Sequence, residues 1–247
     1  MHTFIYRVGW HAEKYTVDER RCQQTLLTRI WNRRFIGLVG LALPVVIVLS
    51  GFINFGSVLD SLSDYIDVRN KEVFIVMLLI VAWCLIKYNG YDFIDNLVGK
   101  LAGLFALGVL FFPNNAEGWQ SVVHFVSATG LFLVFAFMCL FLFTKTKESS
   151  PNNLWHTIKS FRFGIIRSDE PGMEHKKKRN KVYVACGVAM LVSMLVTVLY
   201  NLFWQDTGMA VIKPVLVLEW LMIWAFAFSW LVKGQIILGD RRVRVEL

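Results

Sequence analysis

The stretch SVVHFVSATGLFLVFAFMCLFLF, residues 121–143, contains no Lys, Arg, Asp or Glu. As a helix rising 1.5 Å per residue it would be about 35 Å long, which is enough to cross a hydrocarbon core of about 30 Å. The whole chain of 247 residues is 56% hydrophobic and 18% charged, against roughly 45–50% and 25% in soluble domains. The stretch therefore predicts a membrane-spanning helix in an all-α, polytopic membrane protein.

Five further apolar blocks give a bundle of six transmembrane helices in residues 35–238. The predicted spans are about 35–53, 73–88, 97–112, 121–143, 182–204 and 211–232. The second and third are short, so the alternative for them is a hairpin that enters the bilayer without crossing it. Residues 1–34 form an amphipathic segment expected at the cytoplasmic membrane interface, and residues 239–247 form a cytoplasmic tail.

Connections rich in Lys and Arg alternate along the chain with connections that contain few or none. Residues 1–34 contain seven Lys or Arg, the loop 144–181 contains ten, and the tail after residue 232 contains four. The intervening connections contain few or none. Because Lys and Arg accumulate in cytoplasmic loops, this pattern predicts six spans with both termini in the cytoplasm.

The net charge of +8 indicates a partner for the cytoplasmic face. Anionic phospholipid headgroups attract clustered Lys and Arg there. The segment HKKKRNK, residues 175–181, is more typical of a topology signal than of a nucleic-acid site, so no nucleic acid is expected. Gly99, Gly103 and Ala106 give one helix a close-packing face, either within the bundle or toward a second copy or another membrane protein. No metal or cofactor motif is present.

Three ionisable side chains inside the predicted spans stand out, because charge there is costly and usually functional. Lys100 lies close to a helix end and is interpreted as an anchor that reaches the headgroups, which leaves His124 and Glu219. His124 is three residues inside the fourth span, and Glu219 is eight residues inside the sixth, roughly 12 Å from its end. Ser127 shares a helix face with His124 at a spacing of three, and Asn201 ends the fifth span. If the helices are neighbours, these four residues line one outward-facing polar pocket; the alternative is a structural lock between helices.

This pocket leaves three functions open. The first is a non-enzymatic protein that senses a ligand or lipid, or acts in assembly. The second is a transporter or oligomeric channel subunit that relays protons or cations through Glu219 and His124. The third is a lipid hydrolase using Ser127 and His124 with Glu219, although no strong catalytic motif appears, which favours a protein that is not an enzyme.

The turn KYNGYDFIDN, residues 87–96, is a second candidate. Asp92 and Asp95 are placed to cap the third span at its N-terminus. The alternative is a latch in which Tyr91, Asp92 and Asp95 hold the basic segment 176–181.

Four stretches together resemble a family of six-span bacterial inner-membrane proteins of unknown function. They are NGYDFIDNLVGKLAGLFALGVLFFP at 89–113, VHFVSATGLFLVFAFMCLFLFTKT at 123–146, KKRNKVYVACG at 177–187 and EWLMIWAFAFSWLVKG at 219–234. The resemblance implies a multi-pass protein of the bacterial inner membrane and implies no activity. It picks out Tyr91, Asp92, Pro113, His124, Ser127, Glu219 and Lys233.

Overall fold

The computed structural model of the protein describes residues 17–66, 71–90, 93–115, 118–144, 174–204 and 211–239, although not the side chains of residues 17–26 and 55. All regular structure within these ranges is helical. The helices are α1 (Val17–Phe55), α2 (Lys71–Ile86), α3 (Phe93–Phe111), α4 (Trp119–Phe137, continued by a π-helical turn, Met138–Leu142), α5 (Glu174–Phe203) and α6 (Pro214–Lys233), with a 3₁₀ turn at Ser63–Ile66. Each predicted span lies on one of the six helices.

Five of the six helices contain segments long and apolar enough to cross a membrane, which fits a multi-pass membrane protein. These segments are Leu27–Asn54, Phe93–Phe111, Trp119–Leu142, Glu174–Phe203 and Pro214–Lys233. The remaining helix, α2, is apolar but has only 16 residues, or about 24 Å at the helical rise. Large apolar side chains remain exposed along the outer faces, including Leu104, Val126 and Leu195.

The six helices form a closed ring. Each helix packs against the next one in the sequence, and α6 packs back against α1. We call the two ends of this ring the acidic end and the basic end, after the charged residues that lie there. The acidic end carries residues 56–66, 112–115 and 211–213, while the basic end carries the start of α1 and α5 and the end of α6. Helices that alternate between these ends are antiparallel neighbours.

The middle of the ring is filled by aromatic side chains of α6. Phe226 stacks on Phe135 of α4 with ring centroids 3.6 Å apart. Trp230 is fully buried and meets Tyr88 and Phe143 edge to face, at 4.9 and 5.2 Å. These contacts hold α6 toward the ring axis, so its polar residues near either end also point into the bundle.

Small residues bring α3 close to α2. A Cβ at Gly103 would lie 3.0 Å from the Ala82 carbonyl oxygen, and one at Gly99 would lie 3.0 Å from the Tyr88 ring. Ala106 is fully buried. The close-packing face predicted from Gly99, Gly103 and Ala106 is therefore used within the bundle.

The described part of the amphipathic segment continues into the first predicted span as one unbroken helix, α1. One boundary differs from the predicted ones. The last helix begins at Pro214 and not at residue 211, which suits a proline because the first helical position needs no intrahelical N–H bond. Lys213, inside the predicted sixth span, therefore lies before α6.

Candidate functional site

A cavity of about 760 Å³ lies at the acidic end, between α4, α5, α6 and the turn 57–66. Its volume is within the range of about 300–1,000 Å³ that is usual for small-molecule sites. Its polar lining includes Asp60, Ser61, Asp64, Asn114, Thr129, Thr197, Asn201, Lys213 and Glu219, and its apolar lining includes Phe125, Phe132, Met194, Val198 and Met222. The cavity thus offers hydrogen-bonding groups and an apolar wall to one occupant.

Glu219 is positioned in this cavity by the helix start at Pro214. It lies five residues along α6, about 8 Å from the first residue at the helical rise. Its Oε2 accepts a hydrogen bond of 2.6 Å from the backbone N–H of Leu62. The side chain is half-buried, and its carboxyl group lies within the bundle while still facing the cavity.

A smaller apolar cavity of about 80 Å³ adjoins the larger one at Glu219. Its lining includes Leu43, Leu78 and Phe226, and it shares Ser63, Ala128, Phe132 and Glu219 with the larger cavity. Glu219 is therefore on the border between a polar and an apolar space. A carboxylate in such a position interacts strongly with any charge brought near it, because the surroundings screen it weakly.

The turn 57–66 forms the roof of the cavity and is held by its own polar groups. Asp64 Oδ2 accepts the Ser61 N–H at 2.9 Å, and Ser61 Oγ accepts the Asp64 N–H at 3.2 Å. This reciprocal pair fixes the turn in the way a capping box fixes a helix start. Asp64 Oδ1 also accepts a hydrogen bond of 2.7 Å from Asn114 Nδ2, which ties the roof to the turn between α3 and α4.

The same turn is attached to the start of α6. The Asp60 carbonyl accepts the Leu216 N–H at 3.0 Å, one of the first-turn donors that a helix cannot satisfy by itself. Lys213 Nζ forms an ion pair of 2.8 Å with Asp60 Oδ1. Together with the Leu62–Glu219 bond, these contacts build one wall of the cavity from two segments far apart in the sequence.

His124 and Ser127 face α3. His124 is buried, and its Nδ1 lies 2.6 Å from the Phe112 carbonyl oxygen just past the end of α3. Ser127 is also buried, with its Oγ against Gly108. Neither residue is among the described lining of the cavity. The structure thus brings Glu219 and Asn201 to one cavity and places His124 and Ser127 at the α3–α4 interface.

Asn201 lies on α5 two residues before its end, and its side chain is exposed at the rim of the cavity. Thr197, one helical turn earlier, also lines the cavity. Its hydroxyl donates to the Ser193 carbonyl at 2.9 Å, and the hydroxyl oxygen keeps acceptor capacity toward the cavity.

The cavity reaches the side of the bundle between α4 and α5. Phe125 and Val198 line it and are nevertheless 57% and 54% exposed. Toward the basic end the two helices are close, because a Cβ at Gly187 would touch Leu140 and lie 3.4 Å from the Ala136 carbonyl oxygen. The two helices are thus in contact at one end and separated by the cavity at the other.

A second polar cluster lies at the basic end. Lys233 at the end of α6 donates to the Phe143 carbonyl at 3.1 Å and lies 5.8 Å from the centre of the Tyr183 ring. Arg33 and Asp95 are close enough for their charges to act on that of Lys233. Both are buried, so the cluster joins α1, α3 and α6.

The second predicted candidate lies partly in this cluster. Asp95 occupies the first turn of α3, where its charge is favourable, and Gly90 fits directly against it. Lys176 and Arg179, from the basic segment predicted as its latch partner, also act electrostatically on Lys233. Tyr91 and Asp92 lie outside the described residues.

Sequence reasoning missed Asp60, Asp64 and Lys213 in the cavity and Arg33 in the basic-end cluster. One signal was available: Ser61 and Asp64 in SLSD have the spacing of a self-capping turn. Nothing in the sequence places this turn over α6. No protein-family model, curated protein or solved structure matches the chain.

Proposed function

We propose that this chain is an integral membrane protein that binds a small ligand or lipid in the cavity around Glu219, as a sensing or assembly component and not as an enzyme. The observation that carries the proposal is the Glu219 carboxyl group, which faces a cavity of about 760 Å³ within an apolar bundle. A carboxyl group is costly in such surroundings. A binding role accounts for both the group and the space beside it.

The proposal includes six spans, both termini in the cytoplasm and a location in the bacterial inner membrane. It is supported by the ring, in which α1 begins and α6 ends at the same, basic end. Anionic headgroups would lie beside that end, in keeping with the positive-inside rule. The length of α2, about 24 Å, would require the flanking Lys71 and Lys87 to reach toward the headgroups.

A transporter is less well supported. A path for protons or cations through the bundle would have to pass the stacked rings of Phe135 and Phe226 and then Trp230, which occupy the ring axis. A hydrolase is also less well supported. It would need Glu219 within hydrogen-bond reach of His124. Glu219 accepts from Leu62 beside the cavity, whereas His124 is bonded to the Phe112 carbonyl at the α3–α4 interface.

Native mass spectrometry of the protein extracted from its own membrane tests the proposal. Thr129 is exposed and lines the cavity, so Thr129→Trp should block it without disturbing the core. Val126 is exposed on the same helix and outside the described cavity lining, so Val126→Trp is the matched control. We expect a bound molecule in the wild type and in Val126→Trp, and its loss in Thr129→Trp. Equal occupancy of the two variants would contradict a ligand site in this cavity.

A further inference from the structure

We propose, building on the proposed function, that the ligand is an amphiphile with an ammonium head group and an alkyl chain, which enters from the bilayer between α4 and α5. The head group would lie at Glu219, and the chain would lie along the apolar wall of the cavity. The charges that line the cavity, the apolar part of its lining and its opening between α4 and α5 each support one part of this inference.

The charges that line the cavity favour a cation. Among the residues that the structure describes, three carboxyl groups, those of Asp60, Asp64 and Glu219, line it together with one ammonium group, that of Lys213. Lys213 is paired with Asp60 at 2.8 Å, and Asp64 receives the Asn114 amide. The described hydrogen bond of Glu219 comes from a neutral backbone N–H. Glu219 is therefore the carboxyl group best placed to receive a cationic head group, while an anionic one would meet like charge.

Apolar lining extends deeper into the bundle than the carboxyl group of Glu219. Asn201 and Glu219 lie about 3 and 8 Å from the nearer ends of their helices at 1.5 Å per residue. Met194 lies about 14 Å from the end of α5, and Phe132 about 20 Å from the start of α4, by the same rise. An occupant with its head group at Glu219 therefore has apolar surface for a chain deeper in the bundle. The flexible side chains of Met194 and Met222 can adapt to its shape.

The access route follows from the separation of α4 and α5. Phe125 and Val198 belong both to the cavity and to the exposed outer surface. In a bilayer this surface faces lipid, so a molecule dissolved in the membrane reaches the cavity sideways. Thr129, exposed between them, is a hydrogen-bonding group at this opening.

Binding of three probes of equal chain length to the protein in phosphatidylglycerol nanodiscs tests the inference. The probes are dodecylamine, dodecanol and dodecyl sulfate. We expect dodecylamine to bind the wild type at least about tenfold more tightly than dodecanol, which is the ratio typical of a hydrogen bond to a charged group. We expect dodecyl sulfate to bind most weakly. Glu219→Gln keeps the acceptor for Leu62 and should abolish the preference for the amine. Glu72→Gln, an exposed acid at the same end, should preserve it.

The outcomes separate this inference from the proposed function. If wild type binds dodecanol as tightly as dodecylamine, or if Glu219→Gln keeps the preference, the ammonium assignment is wrong even when Thr129→Trp blocks both probes. If Thr129→Trp blocks neither probe, the cavity is not the binding site and the proposed function fails as well. Adding phosphatidylethanolamine to the nanodiscs distinguishes the sources of the ammonium group. Competition with dodecylamine would assign the site to this lipid headgroup, and no competition would assign it to a free amine.

Discussion

The carboxyl oxygen Oε2 of Glu219 accepts a hydrogen bond of 2.6 Å from the backbone N–H of Leu62, which lies 157 residues earlier in the chain. Leu62 is buried, so the bond satisfies a main-chain donor where water has little access. The same side chain thus holds the roof of the cavity and supplies its innermost carboxyl group.

Replacing Glu219 with Ala should destabilise the protein by about 1–3 kcal/mol, because the buried N–H of Leu62 loses its acceptor. Glu219→Gln retains an acceptor oxygen and should cost less. Unfolding in detergent micelles measures both changes, and hydrogen exchange of residues 57–66 should rise in the Ala variant. Glu72→Ala is the control. Equal stability of the Ala and Gln variants would contradict the role given to this bond.

Gly103→Ala should separate α2 from α3. The added methyl group would lie 2.5 Å from Ile86 Cγ1 and 3.0 Å from the Ala82 carbonyl oxygen. Because the carbonyl belongs to the backbone of α2, the clash is relieved only if the two helices move apart. Overpacking of this kind costs about 1–3 kcal/mol. Leu104→Ala, one residue away on the exposed face, should change the free energy of unfolding by about 0.5 kcal/mol or less. If both substitutions have the same effect in the same unfolding assay, the contact is not tight.

Trp230→Ala should be among the most destabilising single substitutions, at about 3–5 kcal/mol. Trp230 is fully buried and contacts the rings of Tyr88, Phe143 and Phe226. Trp83→Ala removes a tryptophan that is 61% exposed on α2 and should cost far less. A thermal denaturation series of the two variants checks this order, and a reversal would show that α6 does not fill the ring.

The proposed six-span topology, with both termini in the cytoplasm, predicts which side of the membrane each turn faces. A cysteine introduced at Asn115, which is exposed at the acidic end, should react with an impermeant maleimide added to intact cells. A cysteine at Asn89, exposed at the basic end, should react only after the membrane is permeabilised. Cys22 is replaced in both, and the buried Cys84, Cys139 and Cys186 remain. Labelling of Asn89→Cys in intact cells would disprove the orientation.

The helices could be predicted from the sequence because each span is a continuous apolar run that water cannot solvate and lipid can. The continuity of the amphipathic segment with the first span agrees with the sequence too, because Arg34 and Phe35 carry no signal that breaks a helix, and α1 runs through both. Pro214 does carry such a signal, and in the structure the last helix begins there.

The free-energy cost of placing an ionisable side chain inside a membrane singled out His124 and Glu219. In the structure each of them forms a specific hydrogen bond. Their predicted shared pocket depended on the rotation of α4 about its own axis. That rotation is set by packing: Gly108 leaves room for Ser127, and the Phe112 carbonyl accepts from His124, so both face α3. The side of α4 carrying Phe125 and Thr129 faces the cavity instead.

The sequence by itself determined a helical membrane protein, the number of apolar segments and a short set of costly polar residues, because burial in lipid is a property of each segment taken alone. Only the tertiary structure decided that Glu219 lies beside Leu62, Asn201 and the ion pair of Asp60 with Lys213. Those residues come from three distant segments. Their meeting depends on how the ring closes and how each helix is rotated within it, which are results of packing between helices and not of the pattern within any one of them.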